Sequence, residues 1–475
     1  MAERDETGFF SALGELAREI KKRDNFVIIH HYDADGLASG AIAIIALKRE
    51  KKKFKTLCLK QLYKENIDEI KALGENYLFV DFGSGQIDYL KKDLGEENTF
   101  ILDHHIPVRV NEQVIEMKFH INPLLFGIDG GRELSGSSTT FFFALALNKK
   151  NSYLSYLAVV GSVGDMQDFS GELIGLNRKV LELAEKEKIV SAKKDLRLYG
   201  RISRPLLSYL MFSSSPIIPE LTASEENCVA FLRHNNIPLK DPFTSDWLSY
   251  EDLPQEKKQV LSSALIIHMS EHNVPEWKIQ SLIGENYTLE KEMLKSPLRD
   301  AKEFATALNS CGRHARPEIA LAVCLGNRNT SGEYGALLGL IDEHRRELRK
   351  GIEFVIKKGV EEKNNYYFFN AKDVIQDSLV GIIAGMLYGS VIDENKPIIA
   401  IAENEDDTVK ISGRATSTLL RRGLNLGLAF KEISFEMDGV EGGGHKIAAG
   451  CKVNVGKLAE FLEKLDEKIA FQLKN

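Results

Sequence analysis

Cysteine is scarce in this chain. Cys58, Cys228, Cys311, Cys324 and Cys451 are the five among 475 residues, widely spread and without a Cys-x-x-Cys pair. An odd, scattered set excludes a disulfide framework and a zinc ribbon and suits a reducing cytoplasm. Basic charge is not in excess either. Lysine and arginine number 62 against 69 acidic residues, a formal charge of −7. That excludes a histone-like polycation but says nothing about where a basic groove lies. Long hydrophobic runs are missing. The longest, Ala41 to Leu47, falls far short of the roughly 20 residues that span a bilayer. The N-terminus is charged from Glu3 and has no apolar signal core. Internal repeats and low-complexity tracts are lacking too. What remains is 43% hydrophobic and 28% charged, a globular composition. The expectation is a soluble cytoplasmic protein with no membrane partner.

The length exceeds one ordinary core and predicts two or three domains. An amphipathic helix carrying Phe9, Phe10, Leu13, Leu16 and Ile20 opens the chain. Residues 1–190 then alternate in a βα manner. Strands are predicted at Phe26–His30, Thr56–Leu59, Tyr77–Val80 and Thr99–Leu102, and helices at Leu37–Lys48, Thr139–Leu147 and Tyr153–Gly161. Short apolar strands separated by helices predict an α/β fold with a doubly wound parallel sheet. Residues 191–312 are rich in proline and read as a mainly helical linker or inserted region, with a helix near Gln259–His268. Residues 313–475 read as a smaller α/β domain. Its predicted strands are Ile319–Cys324, Ile352–Ile356, Tyr366–Phe369, Ile398–Ala402 and Val409–Ser412, and its helices Asp377–Tyr388 and Gly456–Phe471. A cleft is expected between the first and last domains.

Four clusters in the first domain place acids or imidazoles just after a predicted strand or at a helix end. They are His30-His31-Tyr32-Asp33-Ala34-Asp35-Gly36, Asp81-Phe82-Gly83-Ser84-Gly85, Asp103-His104-His105, and Gly164-Asp165-Met166-Gln167-Asp168. Ligands of open α/β sheets bind outside the carboxyl ends of the strands. So many carboxylates in one pocket would repel one another without a cation. Mixed imidazole and carboxylate donors suit Mn²⁺, with Mg²⁺ or Zn²⁺ as alternatives. A carboxylate such as Asp81 can bridge two ions roughly 3.5–4 Å apart, the arrangement that clamps an in-line phosphoryl displacement. A single Asp-Gly pair after a strand is ordinarily only a turn. The argument rests on all four clusters occurring in this order.

The same motifs resemble the DHH phosphoesterase superfamily, named for the triplet at Asp103-His104-His105. The likeness extends to Asp33-Ala34-Asp35-Gly36, to the segment around Asp81, to that around Asp165, and to Gly442-Gly443-Gly444-His445 of the C-terminal signature. It spans residues 30 to 450. In length and motif wording it is most similar to the archaeal RecJ-like exonucleases, the group that includes the GINS-associated nuclease. The resemblance implies two divalent ions, one held by His31, Asp33 and Asp81 and the other by Asp35, Asp81, His104 and Asp165. His105 would face the phosphate, and Asp103 would orient a neighbouring group. His31 stands where bacterial RecJ usually has Asp, and His30 is the alternative ligand, though strand alternation favours His31. Arg414, Gly443, Gly444 and His445 would grip a strand end, since consecutive glycines let backbone N–H groups approach an anion.

The resemblance implies a metal-dependent exonuclease acting on single-stranded DNA or RNA in replication or repair. The alternative within the superfamily is a small-substrate phosphoesterase, for oligoribonucleotides, cyclic dinucleotides or bisphosphonucleotides; the inserted region disfavours it. A non-catalytic scaffold is a third reading, disfavoured because every ligand position is filled. Binding to GINS or the replicative helicase is implied as a partner role. Weaker signals are the basic stretch Lys186–Arg204, which reads as a nucleic-acid channel or a solvated helix, and the cations Arg345, Arg346, Arg349 and Lys350. Ser135–Thr140 reads as a helix cap. Asp168 reads as a charge and not a ligand. His268-Met269-Ser270-Glu271-His272 fits an inverted zinc-peptidase pattern, but five-residue patterns arise by chance and no third ligand is evident.

Overall fold

Alternation along Phe26–His31 (β1) organises the first layers. Phe26 and Ile28 belong to one hydrophobic core, Val27 and Ile29 to another, and all four are buried. A strand covered on both faces requires this pattern. In the computed structural model, which describes residues 3–110, 113–115, 117–213, 216–404 and 407–474, β1 lies in an all-parallel five-stranded sheet. Its partners are Phe54–Leu59 (β2), Asn76–Val80 (β3), Thr99–Leu102 (β4) and His120–Ile121 (β5), in the order β2-β1-β3-β4-β5. Helices Glu6–Lys21 (α1) and Ala34–Arg49 (α2) cover one face, and Asn66–Leu73 (α3) and Ile87–Leu94 (α4) the other. Gly136–Leu147 (α5) and Ser155–Gly164 (α6) return to the first face. This is the doubly wound sheet that the sequence predicts. The chain leaves β1 for β2 on one side and comes back to β3 on the other. The topological switch point therefore lies between β1 and β3.

The chain divides into two units, Met1–Tyr209 with Leu232–Ile341, and Leu210–Phe231 with Asp342–Asn475. The first also contains an antiparallel pair, Val190–Leu196 with Ile283–Leu289, and the amphipathic helix Ala301–Arg313. The second is built on a mixed six-stranded sheet ordered Glu361–Glu362, Tyr367–Asn370, Ile398–Glu403, Thr408–Arg414, Ala448–Asn454 and Glu441–His445. Along Ile398–Glu403, Ile398 and Ala400 face a core shared with helix Asp377–Met386. Ile399 and Ile401 face helices Leu426–Glu436 and Leu458–Lys474. All five cysteines are free. Among the described residues, no helix is long and apolar enough to cross a membrane.

Two predicted strands are helices. Ile319–Cys324 lies in Pro317–Cys324, where proline at the first turn starts the helix. Ile352–Ile356 lies within the 26-residue helix Glu333–Lys358. There Val355 is buried and Ile356 is 57% exposed, so the apolar run straddles a helix face. Short apolar runs do not distinguish the two periods. The glycine-rich signature forms a strand: Glu441–His445 pairs antiparallel with Ala448–Asn454, with Gly443 opposite Gly450.

Candidate metal centre at the strand ends

The three central strands end side by side, and each delivers a ligand-type residue at its carboxyl end. β1 ends in His30 and His31. His30 turns under α2, fully buried, with Nδ1 bonded to the His31 carbonyl at 2.9 Å. Burial pushes its pKa down to about 4, so it is a neutral core histidine. His31 turns the other way. Its Nδ1 lies 3.0 Å from Asp33 Oδ2 and 3.8 Å from Asp81 Oδ2, and its Nε2 bonds the Lys60 carbonyl at 3.2 Å. Asp33 is the N-cap of α2 and accepts from Gly36 N–H at 3.0 Å. Against the cost of burial, the His31 imidazole and that N–H hold Asp33 well below the usual carboxylate range.

Asp81 follows β3 at φ +65°, a left-handed conformation that aspartate tolerates better than most residues. Gly136 packs on it so closely that a Cβ there would lie 2.3 Å from Asp81 Oδ1. Asp35, in the first turn of α2, accepts from Gly136 N–H at 2.7 Å and Ser137 N–H at 3.0 Å. Its charge thus caps the N-terminus of α5, a placement that stabilises by about 1 kcal/mol. The Ser135–Thr140 segment does cap a helix, since the Ser135 hydroxyl accepts from Ser138 N–H.

β4 ends in Leu102, and Asp103, His104 and His105 follow. Asp103 is fully buried and saturated. It accepts from Ser84 N–H at 2.9 Å, His104 N–H at 2.8 Å, His105 N–H at 3.2 Å and His105 Nδ1 at 2.8 Å. Against burial, the nearby imidazoles and these donors hold it far below the usual range. His104 Nδ1 bonds the Gly130 carbonyl at 2.6 Å, which assigns a proton to Nδ1 and leaves Nε2 to carry either the second proton or a metal. That Nε2 lies 3.2 Å from Asp81 Oδ1, 3.7 Å from Asp35 Oδ2 and 3.9 Å from Asp165 Oδ2. Asp165 caps the C-terminus of α6 and accepts from Gln167 Nε2 at 2.8 Å.

His31 Nδ1, Asp81 Oδ1 and His104 Nε2 are buried and lack a hydrogen bond of acceptable geometry. Burial and the charge of Asp35 push Asp81 well above its normal range. Burial also raises Asp165. His104 is raised although burial opposes its charge, because Asp165, Asp81 and Asp35 surround it. Such a cluster is costly unless protons or cations occupy it. The donor sets His31–Asp33–Asp81 and Asp35–His104–Asp165 each bring one atom per residue within 4.8 Å of the others, as does Asp81–His104–His105. Mixed imidazole and carboxylate donors at this spacing fit divalent cations.

Supporting residues escaped the sequence reading. Gly130 supplies one carbonyl to both His104 and Gln167 Nε2. Asn177 Nδ2 donates to Gln167 Oε1 at 2.6 Å. Asn122 donates to Ser84 Oγ and to the His105 carbonyl. Asn309 accepts from Ala34 N–H at 2.9 Å, joining helix Ala301–Arg313 to the start of α2. Only Gln167 lay inside a motif. The others are isolated polar residues whose partners are distant in sequence.

The other candidates separate clearly. Asp168 pairs with Arg197 at 2.5 Å in a buried ion pair and is no ligand. Arg201 is likewise buried against Asp300 and Glu251. The Lys186–Arg204 stretch is therefore not one solvated helix: it runs through strand Val190–Leu196 and turns Arg197 and Arg201 inward, while Lys186, Lys188, Lys193 and Lys194 stay exposed. His272 Nδ1 bonds the His268 carbonyl at the end of helix Gln255–Glu271. In the second unit, Arg414 ends strand Thr408–Arg414, with its Nη1 on the Gly413 carbonyl at 2.8 Å. Ala448 pairs with both Arg414 and His445, so the sheet register sets those two near each other. Gly443 is open: a Cβ added there would meet nothing within 4 Å. Gly444 has φ +140°, and a Cβ there would lie 2.5 Å from the Ala448 carbonyl.

The DHH-CID domain family matches residues 198–283 and the DHHA1 domain family residues 364–470. An uncharacterized protein of Methanocaldococcus jannaschii is 32% identical over 451 residues, covering 94% of both chains. Among solved structures, RecJ of Thermus thermophilus in complex with Mn²⁺ matches 98% of this chain with a TM-score of 0.59 at 15% identity. This chain covers 55% of that RecJ, so it spans about half its length. CDC45 from Entamoeba histolytica matches 98% of this chain and 99% of its own, with a TM-score of 0.63 at 14% identity. Motifs, domain families and fold agree, and the chain belongs to the DHH superfamily with a RecJ-like fold.

Proposed function

We propose that this protein is a metal-dependent exonuclease that hydrolyses phosphodiester bonds of single-stranded DNA or RNA, in DNA replication or repair. The observation that carries this is the convergence of His31 Nδ1, Asp81 Oδ1 and His104 Nε2, buried and without hydrogen bonds, at the switch point of the sheet. His31, Asp33 and Asp81 would hold one divalent ion and Asp35, Asp81, His104 and Asp165 a second, with Mn²⁺ preferred over Mg²⁺. Bound ions supply Lewis-acid polarisation of the phosphate and lower the pKa of water.

The chain's own residues do the rest. Asp103 fixes the His105 ring through Nδ1, and the His105 side chain is 45% exposed, so its Nε2 is available to a phosphoryl oxygen. The α5 N-terminus holds Asp35 in place while it serves as a ligand. Arg414, Gly443, Gly444 and His445 are assigned to the strand end, as the motif likeness implies. The partner assignment, to GINS or the replicative helicase, rests on the same likeness and is tested by co-purification.

The activity test is digestion of end-labelled DNA and RNA strands with Mn²⁺ or Mg²⁺. Shortening by the wild type, abolished in Asp81→Ala and His104→Ala, is the expected result. Equal behaviour of wild type and both variants refutes the proposal.

A further inference from the structure

Beside the ligand cluster, two short turns carry the exposed side chains of Arg132, Met166 and Phe169. The Gly130 carbonyl ties them together, accepting from His104 Nδ1 at 2.6 Å and from Gln167 Nε2 at 2.9 Å. Gln167 also reaches Asp165 Oδ2 at 2.8 Å. Two residues beyond Gly130 stands Arg132, and two residues beyond Gln167 stands Phe169. Each is thus within roughly 7 Å of backbone from this node. The Arg132 guanidinium lies over the Phe169 ring at 5.0 Å. Phe169 is nevertheless 55% exposed, and its neighbour Met166 is 60% exposed.

Both turns are fixed from behind. Asp129 Oδ1 accepts from Gly131 N–H, and Glu133 N–H donates to the Asp129 carbonyl. On the other side, Phe169 N–H donates to the Met166 carbonyl, and the buried Asp168–Arg197 pair anchors the intervening residue. A large aromatic held rigidly in water, rather than turned inward, gains nothing for stability beyond the modest cation–π contact. A base with its π-face does profit from such a platform, and a guanidinium alongside complements the adjoining phosphate.

We propose that Phe169, backed by Arg132 and flanked by Met166, stacks a nucleobase of the single strand whose phosphate enters the metal centre. The inference rests on the nuclease reading for the identity of the strand. Stacking on an aromatic face is sequence-tolerant, so the site would grip any base and discriminate against an abasic residue.

The test uses the full-length protein with Mn²⁺ and a 5′- or 3′-labelled oligothymidylate, beside the same strand carrying one abasic residue near either end. Strand binding is read by fluorescence anisotropy and cleavage by single-turnover kinetics. For Phe169→Ala, affinity for the base-bearing strand should fall about tenfold. Affinity for the strand with the abasic residue at the cleaved end should not change, and neither should Mn²⁺ stoichiometry. Phe169→Trp should restore binding. Equal loss on base-bearing and abasic strands, or no loss on either, overturns the stacking platform. Should the wild type bind strands with this base dependence yet cut none, the hydrolytic reading falls and the platform stands. Should it cut normally while Phe169→Ala changes nothing, the platform falls alone.

Discussion

The ends of β3 and β4 carry two buried carboxylates on neighbouring strands, and the two are solved in opposite ways. Asp103 is surrounded by four donors and is held far below the usual carboxylate range. Asp81 keeps an oxygen without a hydrogen bond and is pushed well above that range. Equal burial therefore does not mean equal role. A saturated carboxylate is part of the scaffold and aims its neighbours. An unsaturated one among other acids is a place for a cation.

Swapping each for its amide should break the comparison most visibly. Asp81→Asn should lower metal-stimulated hydrolysis on the order of 10³-fold. Its metal-free melting temperature should hold or rise, because a buried carboxyl that ionises only at a cost beside Asp35 is replaced by a neutral amide. Asp103→Asn should do something different. Its amide nitrogen would face N–H donors, and unfolding free energy by denaturant titration should fall by about 2–3 kcal/mol. If Asp81→Asn unfolds the protein while Asp103→Asn leaves it stable, the roles are reversed.

A smaller effect should appear in pH. Asp81, Asp165 and His104 keep protons above their ordinary ranges, which for aspartate and histidine are 3.8 and 6.5. At these groups the metal-free native state binds more protons than the unfolded chain, so their contribution to stability is lost as pH rises through their raised values. Buried His30 and His120, pushed down to about 4, act in the opposite sense between about 4 and 6.5. Asp103 and Asp33 contribute in the other sense, with stability lost only as pH drops below about 4. The gain in melting temperature on adding Mn²⁺ should grow as pH rises, because the ions displace the protons held at Asp81, Asp165 and His104. A gain that shrinks with rising pH contradicts the assignment of Asp81.

The smallest contrast lies in the second unit. Gly444→Ala should cost about 2 kcal/mol, given its positive φ and the Ala448 carbonyl beneath it. Gly443→Ala should leave stability within about 0.5 kcal/mol, as its surroundings are open. Any loss of strand binding in Gly443→Ala then reports on the ligand and not on the fold.

Much of this was legible in the chain itself. Phe26–His31, Asn76–Val80 and Thr99–Leu102 stand out because β-branched and aromatic runs end in charged residues, and the ligands come directly after them. Alternation alone placed His31 opposite to His30. Gly130, Asn122 and Asn309 were not legible, because their value lies in carbonyls and amides that meet partners far away in sequence. Ile319–Cys324 misled because an apolar run of six fits a strand and a buried helix equally. The strand Glu441–His445 was hidden by its glycines, which disfavour β structure until an antiparallel partner pairs with them.

The interleaving of the two units has a consequence for how the chain is made. The polypeptide passes from one unit to the other after Tyr209, Phe231 and Ile341. Ile217 packs against a core containing Val355, Leu379 and Ile383. During synthesis it leaves the ribosome on the order of a hundred residues before those partners, a wait on the order of 10 s. Throughout that interval Ile217 waits for these hydrophobic partners while Leu232–Ile341 of the first unit is still being made. A fragment beginning at Asp342 would lack this segment altogether, so no single cut releases either unit whole.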